Sequence, residues 1–275
     1  MCELLGMSAN TPTDICFSFT GLSVRGGQTG PHTDGWGIAF YDGRACRAFH
    51  EAAPSAESEF AGFVRAYPIK SCVVISHVRQ ATHGRVCLAN THPFVRELWG
   101  RHWCFAHNGK LPGVKDLPLG FYQPVGTTDS EHAFCWLLDA IRRRFPTPPR
   151  RTASVHRLVY QLAERLRVFG TFNMLLSDSR DLYVYCTTKL CWLTRRAPFG
   201  VARLVDTEVS IDFQQETTPR DIVTIVATAP LTCEEVWQRM DPGELMVLRQ
   251  GLPQPAVWAG GGRGATPRPA GEAGC

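Results

Sequence analysis

Two helix-length stretches follow one another directly in the middle of this chain, with short strand-like runs on both sides of them. That order constrains the fold more than any other feature, because a parallel α/β sheet needs strand and helix to alternate. The first stretch opens at Thr128, with Glu131 as a capping-box partner, and repeats Phe134, Leu137, Leu138, Ile141 and Phe145 on one face. The second, residues 154–168, repeats Val155, Leu158, Val159, Leu162 and Leu166. Upstream, Trp36 to Tyr41, Cys72 to His77 and Trp103 to Ala106 are rich in β-branched or aromatic residues near glycine or proline. Downstream come Phe172 to Leu176, Leu182 to Cys186 and Ile222 to Ala227. A short helix is predicted from Thr232, with Glu235 closing its capping box. The pattern predicts an α+β protein of two mostly antiparallel sheets with helices outside.

Composition narrows the functions. With 44% hydrophobic and 20% charged residues, the 275-residue chain has the make-up of a globular protein and can bury a real core. Its 29 basic and 25 acidic residues leave a formal charge of +4, far from the basic stripe of a nucleic-acid binder. The local runs Arg142-Arg143-Arg144 and Arg150-Arg151 read as cations at a helix C-terminus, where they complement the dipole. From Leu252 onward Gly, Pro and Ala dominate, so a domain over residues 2–251 is expected to end in a flexible tail, 252–275.

The eleven cysteines are odd in number and irregular in spacing, with no CxxC pair, which speaks against a zinc ribbon or thioredoxin-like site. Cys72, Cys104, Cys135 and Cys186 lie in apolar runs, where a free thiol acts as a small hydrophobe. Met1 to Leu5 has no basic region and no apolar stretch of signal length, and no run is long enough to span a bilayer. The chain is therefore expected to be cytoplasmic, with no membrane partner and no nucleic acid. His32, His50, His102, His132 and His156 have no metal-ligand spacing, so no metal and no cofactor are expected.

Four places carry chemistry. Removal of Met1 would leave Cys2 first, combining a thiol nucleophile with a free α-amine of pKa about 7.7–8, suited to act as base near neutrality. Arg79, just past the strand ending at His77, either presents its planar fork to a ligand carboxylate or forms a structural ion pair. Asn108-Gly109 after the apolar run 103–106 reads either as a hairpin turn or as an oxyanion hole of side-chain amide and backbone N–H. Asp129 is either a helix-start carboxylate or the receiver of a substrate ammonium group. Together they suit a free α-amino acid whose side-chain carbonyl reaches the thiol. His77 and His107 end strands beside this set, where a supporting hydrogen-bonding role is expected.

On these residues the chain resembles a class II glutamine amidotransferase domain, a branch of the N-terminal-nucleophile hydrolases. The matching pieces run in order: residues 1–6, Asp34-Gly35-Trp36-Gly37-Ile38, residues 79–84, Asn90-Thr91-His92-Pro93-Phe94, His107-Asn108-Gly109 and Thr128-Asp129-Ser130-Glu131. Within that family the stand-alone YafJ-like subgroup is the better likeness, shared by residues 227–232 and 240–245. The resemblance implies a four-layer αββα sandwich. It makes Cys2 the nucleophile with its own amine as base, and Asn108 and Gly109 the oxyanion hole. It also implies that Arg79, with the Thr82 hydroxyl, grips the α-carboxylate, that Asp129 takes the α-ammonium, and that His83 and His92 support the site.

The implied reaction is cleavage of the γ-amide of glutamine, or of a γ-glutamyl compound, through a thioester. The implied partner is that small molecule, with a separate synthase or peptidase subunit in the amidotransferase or hetero-complex version. Two alternatives stand beside it: a hydrolase of ergothioneine- or glutathione-type conjugates, and an N-terminal-cysteine acylase of other amides. Arg79 and Asp129 together disfavour the acylase, whose substrates lack an amino-acid head group.

Overall fold

A computed structural model describes residues 2–81 and 84–255, together with the short strand 268–269. In chain order the first half contains β1 (Glu3–Thr13), α1 (Cys16–Val24), β2 (Trp36–Asp42), β3 (Ala45–Glu51), α2 (Glu59–Ala66), β4 (Ser71–Val78), β5 (Phe94–Glu97) and β6 (His102–Lys110). Then come α3 (Asp129–Arg144), α4 (Thr152–Leu166), β7 (Thr171–Ser177), β8 (Asp181–Tyr185), β9 (Cys191–Arg196), β10 (Val201–Arg203) and β11 (Ser210–Asp212). The last elements are α5 (Phe213–Glu216), β12 (Ile222–Ala227), β13 (Gln238–Arg239), β14 (Leu245–Arg249), β15 (Leu252–Pro253) and β16 (Arg268–Pro269).

The strands build an eight-stranded sheet, β16-β13-β9-β12-β1-β4-β2-β3, and a six-stranded sheet, β15-β14-β8-β7-β6-β5, with β10 and β11 as a separate pair. The strand pairs that frame the site are all antiparallel: β1 with β12 and β4, β2 with β3 and β4, and β6 with β5 and β7. Three apolar clusters mark the three interfaces of the expected αββα sandwich. One joins Phe19 and Leu22 of α1 to Leu5, Met7, Ile38 and Val74 on the outer face of the large sheet. A second lies between the sheets and joins Leu4 and Ile75 to Cys104, Ala106, Leu175 and Val184. The third packs Phe134, Leu137 and Leu138 of α3 and Val159 and Leu162 of α4 on Phe105, Phe172 and Tyr185. Alternation of side chains along a strand explains why Leu4 and Leu5 belong to different layers. At Gly6 the sheets come so close that a Cβ would lie 3.2 Å from both Leu175 and Leu182 side chains.

The two central helices lie where periodicity places them, and α3 starts as expected, the Thr128 hydroxyl accepting from the Glu131 N–H at 3.1 Å. The other half of the capping box is absent. The Glu131 carboxylate accepts instead from Val125 N (3.0 Å) and Gly126 N (2.7 Å) and pairs with Arg96 at 2.5 Å. No helix forms at Thr232. There Glu235 is drawn into a bidentate pair with Arg195, 2.7 Å on each arm, and takes the Thr232 hydroxyl at 2.8 Å. A tertiary ion pair thus uses the carboxylate that a helix start needs. Cys72, Cys104, Cys135 and Cys186 are free thiols. Leu252–Pro253 at the start of the expected tail pairs with β14, and most of the residues beyond Pro253 lie outside the described ones.

Candidate active site

The site lies at one end of the cleft between the sheets. Cys104 and Ala106 face the other sheet, while Trp103 and Phe105 face α3 and α4. Continued alternation carries Asn108 into the inter-sheet cleft and His107 beneath α3. Asn108-Gly109 is therefore part of β6, paired with Asn173 and Phe172 of β7, and no hairpin turn forms there. Buried Asn173 fixes the strand, donating to the Asn108 carbonyl at 3.1 Å and accepting from Thr187 N and Thr188 N. The Asn108 side chain reaches across to the other sheet and donates to the Cys2 carbonyl at 2.6 Å. At Gly109 a Cβ would stand 1.9 Å from the Thr171 carbonyl oxygen, so no side chain fits.

Cys2, half-buried at the head of β1, has its sulfur 3.4 Å from the Gln80 N–H and 3.5 Å from the Gln80 carbonyl. Burial pushes its thiol up; the Gln80 N–H and the Arg79 charge oppose that only in part. A thiol in this state needs a base to become a nucleophile.

Arg79 is 4% exposed, and its guanidinium donates to the carbonyls of Arg85 (3.2 and 3.3 Å) and Asp34 (3.4 Å). Among the described residues no carboxylate pairs with it, so the structural ion pair that Arg79 alone would suggest does not form. The Asp34 carboxylate accepts from Ala81 N at 2.7 Å and shapes the turn after β4. Asn90 ties this turn to the start of α3, donating to Arg85 O (3.0 Å) and accepting from Thr127 N (2.7 Å). Asp129, the first residue of α3, accepts from Leu111 N at 2.8 Å and from Ser130 N at 2.8 Å. Gly84, Gly109, Lys110, Lys115, Thr128 and Asp129 line one open pocket of about 600 Å³. A smaller cavity of about 200 Å³, lined by Phe17, Phe199, Phe213 and Ile225 among others, holds none of these groups.

The structure thus brings Cys2, Arg79, Asn108, Gly109 and Asp129 to one place, while Thr82 and His83 lie outside the described residues. A family model described as glutamine amidotransferases class-II matches residues 1–263. The chain belongs to the class II glutamine amidotransferases. It is 60% identical over 244 residues to YafJ of Escherichia coli (strain K12), covering 89% of this chain and 96% of that protein. A Pseudomonas aeruginosa PA01 crystal structure described as a predicted glutamine amidotransferase is 49% identical, with a TM-score of 0.74 over 93% of this chain and all of that one. The fold alone is shared with the glutamine phosphoribosylpyrophosphate amidotransferase of B. subtilis, at 16% identity and TM-score 0.58, over 92% of this chain and 48% of that one. The family is one of enzymes of the N-terminal-nucleophile type, and the four-layer architecture agrees with it.

Beneath the pocket this class II amidotransferase keeps three buried imidazoles, His77, His92 and His107. The His77 and His92 rings lie 4.4 Å apart, tilted by 40°, and among the described residues neither nitrogen of the His92 ring has a hydrogen-bond partner. Burial first, then the charges of His107 and Arg79, pushes the His77 pKa down to about 3. His92 is driven well below its ordinary range by burial and by His77, and His107 is lowered by burial against the opposing Asp129 charge. All three are neutral in the folded enzyme near pH 7, so folding excludes protons that the unfolded chain takes up below about 6.5. Stability present above that pH is lost as pH falls toward the folded values, at up to about 1.4 kcal/mol per pH unit for each imidazole. Urea midpoints should drop clearly between pH 7 and pH 5. Equal midpoints, or ring signals titrating near 6.5 for these histidines in the folded enzyme, would refute this.

Sequence reading placed Gln80, Asn90 and Ser130 inside matching motifs but gave them no role, and it passed over Asn173. Asn173 was detectable in principle as an amide inside the apolar run Phe172 to Leu176. Gln80 acts through its backbone, which leaves no signal in residue type. No helix among the described residues is long and apolar enough to cross a membrane, and no three His, Cys, Asp or Glu side chains there are grouped as a metal would require.

Proposed function

We propose that the protein hydrolyses the γ-amide of glutamine through a thioester on Cys2. One observation carries this reading. Cys2 is held by Asn108 at the end of a cleft beside an arginine that has no carboxylate partner among the described residues, and a pocket that ends on Asp129. Once Met1 is removed, the α-amine takes the thiol proton and the sulfur attacks the γ-carbonyl carbon. The negative charge that forms on oxygen is met by the Gly109 N–H and by the second hydrogen of the Asn108 amide, whose first is bonded to the Cys2 carbonyl. The C–N bond then breaks and ammonia leaves with the proton held by the amine. Water, deprotonated by the same amine, attacks the thioester and releases glutamate and the free thiol. Arg79 with Thr82 receives the α-carboxylate and Asp129 the α-ammonium, while His83 and His92 support the walls.

The pocket favours a second reading for the leaving group. It continues past Gly109 to Lys110, Gly113, Lys115 and Asp116, beyond the space needed for an amide NH₂, so γ-glutamyl conjugates fit the same machinery. In the amidotransferase version the ammonia passes to a separate synthase subunit.

The test has three arms on one preparation. Intact mass should show loss of Met1, a diazo-ketone analogue of glutamine should add once, at the first residue, and glutamate should be released from glutamine. Retained Met1 would remove the base and end the proposal. Glutathione and γ-glutamyl amines in the same assay separate the two leaving-group readings.

A further inference from the structure

His107 stands outside the groups that touch substrate in this reading, yet both its ring nitrogens are committed. Nε2 is 3.0 Å from the Thr171 carbonyl oxygen, which can only accept, so Nε2 carries the hydrogen. Nδ1 is 2.9 Å from the Ser130 hydroxyl. Burial among Phe105, Phe134 and Phe172 keeps the ring neutral, so Nδ1 is an acceptor and takes the only hydrogen that the Ser130 hydroxyl has. The same hydroxyl oxygen lies 3.4 Å from Asp129 Oδ1, the other acceptor within its reach. Asp129 is left with two backbone donors, Ser130 N on Oδ1 and Leu111 N on Oδ2, each at 2.8 Å.

We propose that His107 is a positioning residue that holds the Ser130 hydroxyl turned away from Asp129, leaving the Asp129 carboxylate free to bind the α-ammonium group of the substrate. The proposal rests on the reading of Asp129 as the ammonium receiver. The Thr171 carbonyl sets the tautomer, the tautomer sets the direction of the hydroxyl, and the hydroxyl sets how much acceptor capacity Asp129 retains. A carboxylate that already accepts from a hydroxyl binds a cation less well, because charge-assisted hydrogen bonds compete for the same lone pairs.

The readout is the ratio of kcat/KM for glutamine to that for glutaramate, its analogue without the α-amine, followed by ammonia release from the purified full chain. The native enzyme should strongly prefer glutamine; absence of that preference would refute the ammonium role of Asp129 itself. In His107→Asn the ratio should fall about tenfold, mainly through a higher KM for glutamine, as expected for weakening one hydrogen bond to a charged group. A loss caused only by disturbed packing or by Gly109 would lower both substrates together and leave the ratio unchanged.

Ser130→Ala removes the hydroxyl and keeps the backbone N–H to Asp129, so alone it should leave the ratio near the native value. Added to His107→Asn, it should restore most of the lost ratio, since no hydroxyl remains to turn toward Asp129. A native ratio in His107→Asn, or a double variant with no recovery, would overturn the proposal.

Discussion

Replacing Cys2 by alanine should reduce glutamate release by at least about four orders of magnitude, the scale on which removal of a covalent nucleophile acts. The fold should survive. Cys2 lies at the head of β1, half-buried, and among the described residues its sulfur hydrogen-bonds with the Gln80 backbone, at 3.4–3.5 Å. The unfolding midpoint should therefore move little while turnover vanishes. Three other thiols offer no substitute: burial and Asp14 push Cys16 up to about 11, and burial pushes Cys186 up to about 11 and Cys191 up to about 12. None of them has an adjacent amine to take its proton. Cys2→Ser is the informative companion, since it keeps the geometry and replaces a strong nucleophile by a weak one. Native turnover in Cys2→Ala would move the chemistry to another site altogether.

Asn108→Ala should lower kcat by about 10²–10³-fold with a smaller change in KM, as loss of one oxyanion donor does elsewhere. Here the same amide also ties the two sheets together through its 2.6 Å bond to the Cys2 carbonyl. Two effects are thus mixed, and a second measurement separates them. Alkylation of Cys2 by iodoacetamide creates no oxyanion, so its rate reports only the placement and ionisation of the sulfur. An alkylation rate near the native one beside a lost kcat assigns the defect to the transition state. A variant with native kcat would remove Asn108 from the oxyanion role.

Much of the architecture was legible before any coordinates. The helices α3 and α4 carry unbroken 3.6-residue stripes over four turns, and their position between two groups of strands excluded a parallel sheet. The helices α1 and α2 were not legible. In α1 nearly every residue from Phe17 to Val24 is buried, so no polar face sets off a stripe, and α2 has only eight residues. At residues 232–235 the same local grammar that correctly starts α3 misleads, because Arg195, distant in sequence, takes the Glu235 carboxylate.

The candidate site divides in the same way. Residue types alone nominated Cys2, Arg79, Asn108, Gly109 and Asp129, because a zwitterionic amide needs a nucleophile, a cation, oxyanion donors and an anion, and few side chains supply each. Local sequence left open whether Asn108-Gly109 turns or extends, and whether Arg79 serves a ligand or the fold. Pairing of β6 with β7 decided the first; for the second, no carboxylate stands beside the Arg79 guanidinium among the described residues, which removes the ion pair, while its bonds to the Arg85 and Asp34 carbonyls hold it in place.

Periodicity and residue chemistry are properties of neighbouring residues, so the chain by itself determined its layers and its reactive inventory. Which face of β6 each side chain takes, and that the Ser130 hydroxyl reaches His107 across 23 positions of sequence, depended on contacts between distant segments. Such contacts exist only after sheets and helices have packed on one another, and only tertiary structure could decide them.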